Sequence, residues 1–150
     1  MKRKSLWILS LILILVIFSN SAASGEVSSG LSLKIAMLLQ RWLSSSGAAL
    51  SLDQVHFLVR KGAHFSEYAL LGLILMAAFR FQRWPWMTRA ITLAPCFLIP
   101  IVDEGIQRFS AGRSCQLSDM LIDMTGLFCG MIVMRRIRRQ TPPHRQDKEE

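Results

Sequence analysis

Acidic side chains are few in this sequence, and cysteines fewer. Ten Asp and Glu stand against 18 Lys and Arg in 150 residues, giving a formal charge of +8. The three cysteines, Cys96, Cys115 and Cys129, form no C-x-x-C pair and no metal-ligand spacing. No disulfide framework can be read from them, and no resident metal or other cofactor is expected. There is no H-E-x-x-H and no phosphatase-type cluster, and no serine is marked as a nucleophile. No recognised catalytic motif is therefore present. A basic stripe along one folded face is also missing. Lys2, Arg3 and Lys4 precede the first apolar block; Arg80, Arg83 and Arg89 fall between two others; Arg135, Arg136, Arg138 and Arg139 follow the last. Bases clustered at block boundaries belong to a membrane protein, and a nucleic-acid partner is excluded.

Apolar residues make up 51% of the chain, and they occur in long blocks. The first, "SLWILSLILILVIFSNSAA", covers Ser5 to Ala23 and is long enough to cross a bilayer. Its basic flank and its small-residue end also fit a signal peptide. Either way the chain next emerges outside. Residues 24–50 are Ser/Gly-rich at both ends, and between these Leu31, Ile35, Leu38 and Trp42 share one helical face. Such a helix suits the outer membrane interface or an ordinary protein surface. "SLDQ" at Ser51–Gln54 is a capping box, and no proline follows until Pro85. One helix is thus predicted from Ser51 to near Arg80. A third span is predicted over about Ala90–Arg108, kinked at Pro95 and Pro100, and a fourth from Leu117 to "RRIRR". The fold expected is all-α: a small four-helix transmembrane bundle with both termini cytoplasmic and a short extracytoplasmic amphipathic helix. It divides into a first helix (1–23), an interfacial segment (24–50), a three-helix membrane core (51–134) and a basic, disordered tail (135–150). This topology alone satisfies the positive-inside rule at every loop.

The polar residues within these blocks share a level. At about 1.5 Å per residue, Glu67 stands roughly 20 Å from Arg80; Asp103 and Glu104 stand roughly 21–23 Å from Arg89; Asp123 and Asp119 stand roughly 18 and 24 Å from Arg135. Arg60, His64 and Glu67 fall on one side of the second span, and Asp119, Asp123, Gly126 and Gly130 on one side of the fourth. The last two form G-x-x-x-G, a close-packing signature, and Gly62 would let another helix approach. Charge facing lipid at this depth costs several kcal/mol, so the acids should turn inward towards Arg60, Lys61, Arg108 and Arg113.

The stretch "RKGAHFSEYALLGLIL", followed by "DEGIQRFSAGRSCQLSDMLIDMTGLFCG", resembles the VanZ-like membrane proteins. The resemblance runs from Phe57 to Gly130. It falls on Lys61, His64, Glu67, Tyr68, Asp103, Glu104, Gln107, Gly112, Arg113, Asp119, Asp123 and Gly126. Ile106 departs from it, since many members carry His there. The resemblance implies a multi-pass protein of the bacterial cell membrane. The family's name-giving member is associated with resistance to the glycopeptide teicoplanin.

Three functional readings remain open. In the first, the polar cluster binds the headgroup of a membrane lipid or a lipid-linked cell-wall precursor. Its ligand-binding set is Arg60, Lys61, His64, Glu67, Tyr68, Asp103, Glu104, Gln107, Arg108, Arg113, Asp119 and Asp123. In the second, the chain is an intramembrane enzyme: His64 and Glu67 act as a base and its orienter, and Asp103 and Glu104 supply an acid or hold Mg²⁺ or Ca²⁺. The third is an ion-pair scaffold without a ligand.

Overall fold

The computed structural model describes residues 3–47, 49–79, 94–113 and 115–140. The described residues form five α-helices and one 3₁₀ turn: α1 (Arg3–Ala22), α2 (Gly25–Ser45), α3 (Leu52–Phe79), the 3₁₀ turn (Ala94–Phe97), α4 (Leu98–Phe109) and α5 (Leu117–Gln140). No strand occurs among them. The basic turn "RFQRWPWMTR", the start of the expected third span and the last ten residues lie outside the described residues.

Only Ala23 and Ser24 separate α1 from α2. The Ser24 hydroxyl accepts from the Val27 amide at 3.5 Å and caps α2, so the Ser/Gly-rich start of this segment is helical rather than a linker. Glu26 in the first turn suits the helix dipole, and Ser32 donates back to the carbonyls of Ser28 and Ser29. The expected capping box is present at α3: the Ser51 amide donates to Gln54 at 2.9 Å, and the Gln54 amide to the Ser51 hydroxyl at 3.2 Å. From there α3 runs unbroken to Phe79.

Helix α4 covers the end of the expected third span, whose start lies outside the described residues. It has 12 residues, which at 1.5 Å each is about 18 Å, short of the ~30 Å core. The prolines explain its start. Pro95 falls in the 3₁₀ turn and Pro100 in the first turn of α4, where a missing N–H breaks no helical bond. Both stand at the start of the described helical stretch. Among the described residues three helices, not four, are long and apolar enough to cross a membrane: α1, α3 and α5. The helix of the fourth predicted span also takes in the first residues of the expected disordered tail. Helix α5 continues through Arg135–Gln140, because arginine is a good helix former, basic side chains suit a C-terminus, and no breaker comes before Pro142.

Side-chain pairings give the helix directions. Trp7 meets Phe79 edge to face with ring centroids 5.0 Å apart, and Asn20 donates to Glu67, so α1 and α3 are antiparallel. Lys61 pairs with Asp119, His64 with Asp123, and the backbone of Ala69 approaches Gly130, so α3 and α5 run the same way. Two consecutive long helices can be parallel only if the chain between them travels back. Helix α4 ends on that return, with Gln107 and Ser110 against Ser21 at the end of α1.

The core lies along the α1–α3–α5 contact, where Ile17, Tyr68, Leu71, Leu75, Leu127 and Met131 are buried together. Close backbone approach makes the α3–α5 seam. A Cβ on Gly126 would strike the Phe65 carbonyl, one on Gly130 the Ala69 carbonyl, and one on Gly72 the Leu127 carbonyl. Gly62 takes no part in this. It is exposed, and a Cβ there would meet nothing within 4 Å, because it lies on the outward side of α3.

Candidate functional site

Polar side chains gather at one end of the bundle in two connected groups. The outer group lines a cavity of about 250 Å³ formed by Asp53, His56, Phe57, Arg60 and Lys61 of α3 with Gln116 and Asp119. Positions 53, 56, 57, 60 and 61 recur at helical spacing, which puts them on one face. Lys61 forms an ion pair with Asp119, and its ammonium also sits 5.2 Å from the Phe57 ring centroid. Ser118 donates to the same carboxylate at 3.2 Å. His56 is held by the Ser32 hydroxyl at 2.9 Å, which ties α2 to the cavity wall. Arg60 has no ion pair among the described residues.

One turn further along α3 lies the inner group. His64 Nδ1 is 3.2 Å from Asp123 Oδ1, though out of line for a hydrogen bond, and Asp123 is fully buried. Asp103 comes in from α4, its Oδ2 accepting from Gln107 at 3.3 Å, and the buried Tyr68 hydroxyl lies beside it. Glu67 accepts from Asn20 at 3.4 Å. Glu104 is buried and accepts from the backbone amide of Gln116 at 3.0 Å, holding the α4–α5 loop. His64 thus faces a carboxylate from another helix, while Glu67 is engaged by α1.

The α4–α5 loop clasps the α1–α2 turn. Gly112 adopts φ +72°, a conformation open to glycine, and its carbonyl lies where a Cβ on Gly25 would sit. The Gly25 amide donates to Ala111 at 2.9 Å. Arg113 then reaches back to the Ser21 carbonyl at 3.4 Å and to the Ser28 hydroxyl. Burial holds the Arg113 guanidinium below its ordinary range, and the nearby Arg60 charge acts in the same direction. Arg113 therefore clamps this turn and does not line the cavity. Arg108 is exposed and lines no described cavity either.

Ten of the twelve candidate side chains come together in these two groups: Arg60, Lys61, His64, Glu67, Tyr68, Asp103, Glu104, Gln107, Asp119 and Asp123. Sequence reasoning passed over Asp53, His56, Asn20, Ser21 and Ser28. The first two could have been found on the Arg60–His64 face of α3. Asn20 and Ser21 had a weaker signal, as polar residues closing an otherwise apolar block.

A chain built only of helices among its described residues, three of them able to cross a bilayer and joined by buried charge, is a helical membrane protein. It belongs to the VanZ/LLP1 family, whose model matches residues 6–138. That match extends past the Phe57–Gly130 motifs to take in α1 and α2, the helices that supply Asn20, Ser21 and Ser28 to the polar end. No curated protein and no solved structure matches the chain.

Proposed function

We propose that the chain crosses the bacterial cell membrane four times, with both termini cytoplasmic, and binds the phosphate-bearing headgroup of an envelope lipid or lipid-linked cell-wall precursor at its outer end. The base distribution and the return required between parallel α3 and α5 support this topology. One observation carries the ligand reading. The Arg60 cavity adjoins a second one of about 450 Å³, lined by Leu50, Asp53, Gln54, Phe57 and Leu58 and sharing Asp53 and Phe57 with the first. A cavity with charged walls beside a shallow, open apolar surface matches a headgroup joined to an acyl chain.

Charge within the cavity refines the ligand. Lys61 is matched by Asp119, which leaves Arg60 as the cation for a phosphate, and guanidinium suits bidentate phosphate binding. Asp53 is available to an amine or a sugar hydroxyl of the same headgroup. The exposed face of Leu31, Ile35, Leu38 and Trp42 on α2 supports placing this end at the outer interface, since none of the described residues covers it. Teicoplanin carries a lipid tail, so a protein that controls lipid access in the outer leaflet offers a route to resistance.

Lipid mass spectrometry on the detergent-purified chain tests the reading. The wild type should retain a phosphate-bearing lipid, and Arg60→Ala should retain several-fold less while eluting as a folded species. Equal retention in the two proteins would overturn it.

A further inference from the structure

We propose that His64, Asp103 and Asp123 form a binding site for one divalent transition-metal ion, held between α3, α4 and α5 at the inner polar group. One nitrogen and two carboxylate oxygens, one from each residue, all lie within 4.8 Å of one another. They come from three different helices, so no sequence spacing could announce them.

The second observation is that several polar atoms of these three residues are buried without a hydrogen bond. Both oxygens of Asp123, Oδ1 of Asp103 and Nδ1 of His64 are buried without a hydrogen-bond partner among the described residues. Asp123 is 0% exposed and Asp103 1%. Orphaned buried acceptors are rare and costly, and two carboxylates facing each other repel. His64 answers one oxygen of one of them at most, its Nδ1 standing 3.2 Å from Asp123 Oδ1. Lys61 is spent on Asp119, and Arg113 on Ser21 and Ser28. A divalent ion with two carboxylates and a neutral imidazole has zero net charge, the state that a low-dielectric interior favours.

Donor chemistry selects the ion. One imidazole and two carboxylates suit Zn²⁺ or Mn²⁺ better than Mg²⁺, which prefers oxygen and water. Bonds of about 2.0–2.2 Å require the donors to draw in by roughly half an ångström or more. The outer shell is already in place. Gln107 holds Asp103 Oδ2, and the buried Tyr68 hydroxyl lies beside the same carboxylate. This site stands apart from the Arg60 cavity and does not rest on lipid binding there.

The full chain is purified in detergent, stripped with chelator, incubated with ZnCl₂, MnCl₂ or MgCl₂, and dialysed. Metal per chain is then read by plasma mass spectrometry. The wild type should keep about one Zn²⁺ or Mn²⁺ and much less Mg²⁺, with retention falling at least about tenfold in Asp123→Asn and in Asp103→Asn. Zn²⁺ or Mn²⁺ should also raise the wild-type melting temperature and leave that of the variants unmoved. Gel filtration selects the folded fraction of each variant. If both variants fail to fold, the metal-dependent shift of the wild type decides. No retained metal and no shift in the wild type, or equal retention in the folded variants, would overturn the site.

Discussion

The α3–α5 seam has two halves of opposite character. At its polar end Lys61 meets Asp119 and His64 meets Asp123. Further along, glycines at 72, 126 and 130 bring backbone against backbone beside Leu75, Leu127 and Met131. The apolar half supplies closeness, because in lipid the attraction between helices comes from packing and not from expelled water. The polar half sets the register, since a slip of one residue would separate each charge from its partner and leave it buried alone. Stability should therefore depend most on the glycines, and ligand binding on the charges.

Gly130→Leu attacks the apolar half and should have the largest effect. Its side chain would occupy the space of the Ala69 carbonyl, costing about 3 kcal/mol or more, and the protein should lose its monodisperse peak on gel filtration in detergent. A normal elution profile and melting temperature would show that the seam is looser than described. Asp119→Ala attacks the polar half. It leaves Lys61 unpaired in a mostly buried position and should cost about 3 kcal/mol, measured as a fall in melting temperature. The double replacement Lys61→Met with Asp119→Leu should recover most of that loss, to within about 1 kcal/mol of the wild type, because both charges are then gone. If the double variant is as unstable as the single one, the pair does more than neutralise itself.

Smaller effects sharpen the contrast. Ser51→Ala removes one arm of the capping box at the start of α3 and should cost about 1 kcal/mol, with faster amide exchange confined to the first turn of α3. Gly62→Ala should be harmless or stabilising by up to about 1 kcal/mol, since Gly62 faces outward and alanine is the better helix former. A loss of stability there would restore Gly62 as a packing position.

Much of α3 was legible in advance, because a capping box, an unbroken run and the lack of proline are local signals. Gly126 and Gly130 were legible too, since their spacing with Asp119 and Asp123 puts them on one helical side. Gly72 was overlooked in favour of Gly62. Both are single glycines in a helix, and only the position of α5 tells which one meets a backbone. Arg113 was expected among the cavity's bases. Its engagement with Ser21 and Ser28 depends on a turn made nearly a hundred residues earlier in the chain.

From sequence alone came the all-helical membrane character, the limits of α3 and the common level of the charges on α3 and α5. Each of these follows from composition, helical rise and period, which act along the chain. Tertiary structure alone decided which charges meet, that α4 is short, and that three donors from three helices converge on one buried point. Those outcomes depend on how helices lie against one another, and the register and rotation that govern such packing are set by contacts between distant residues.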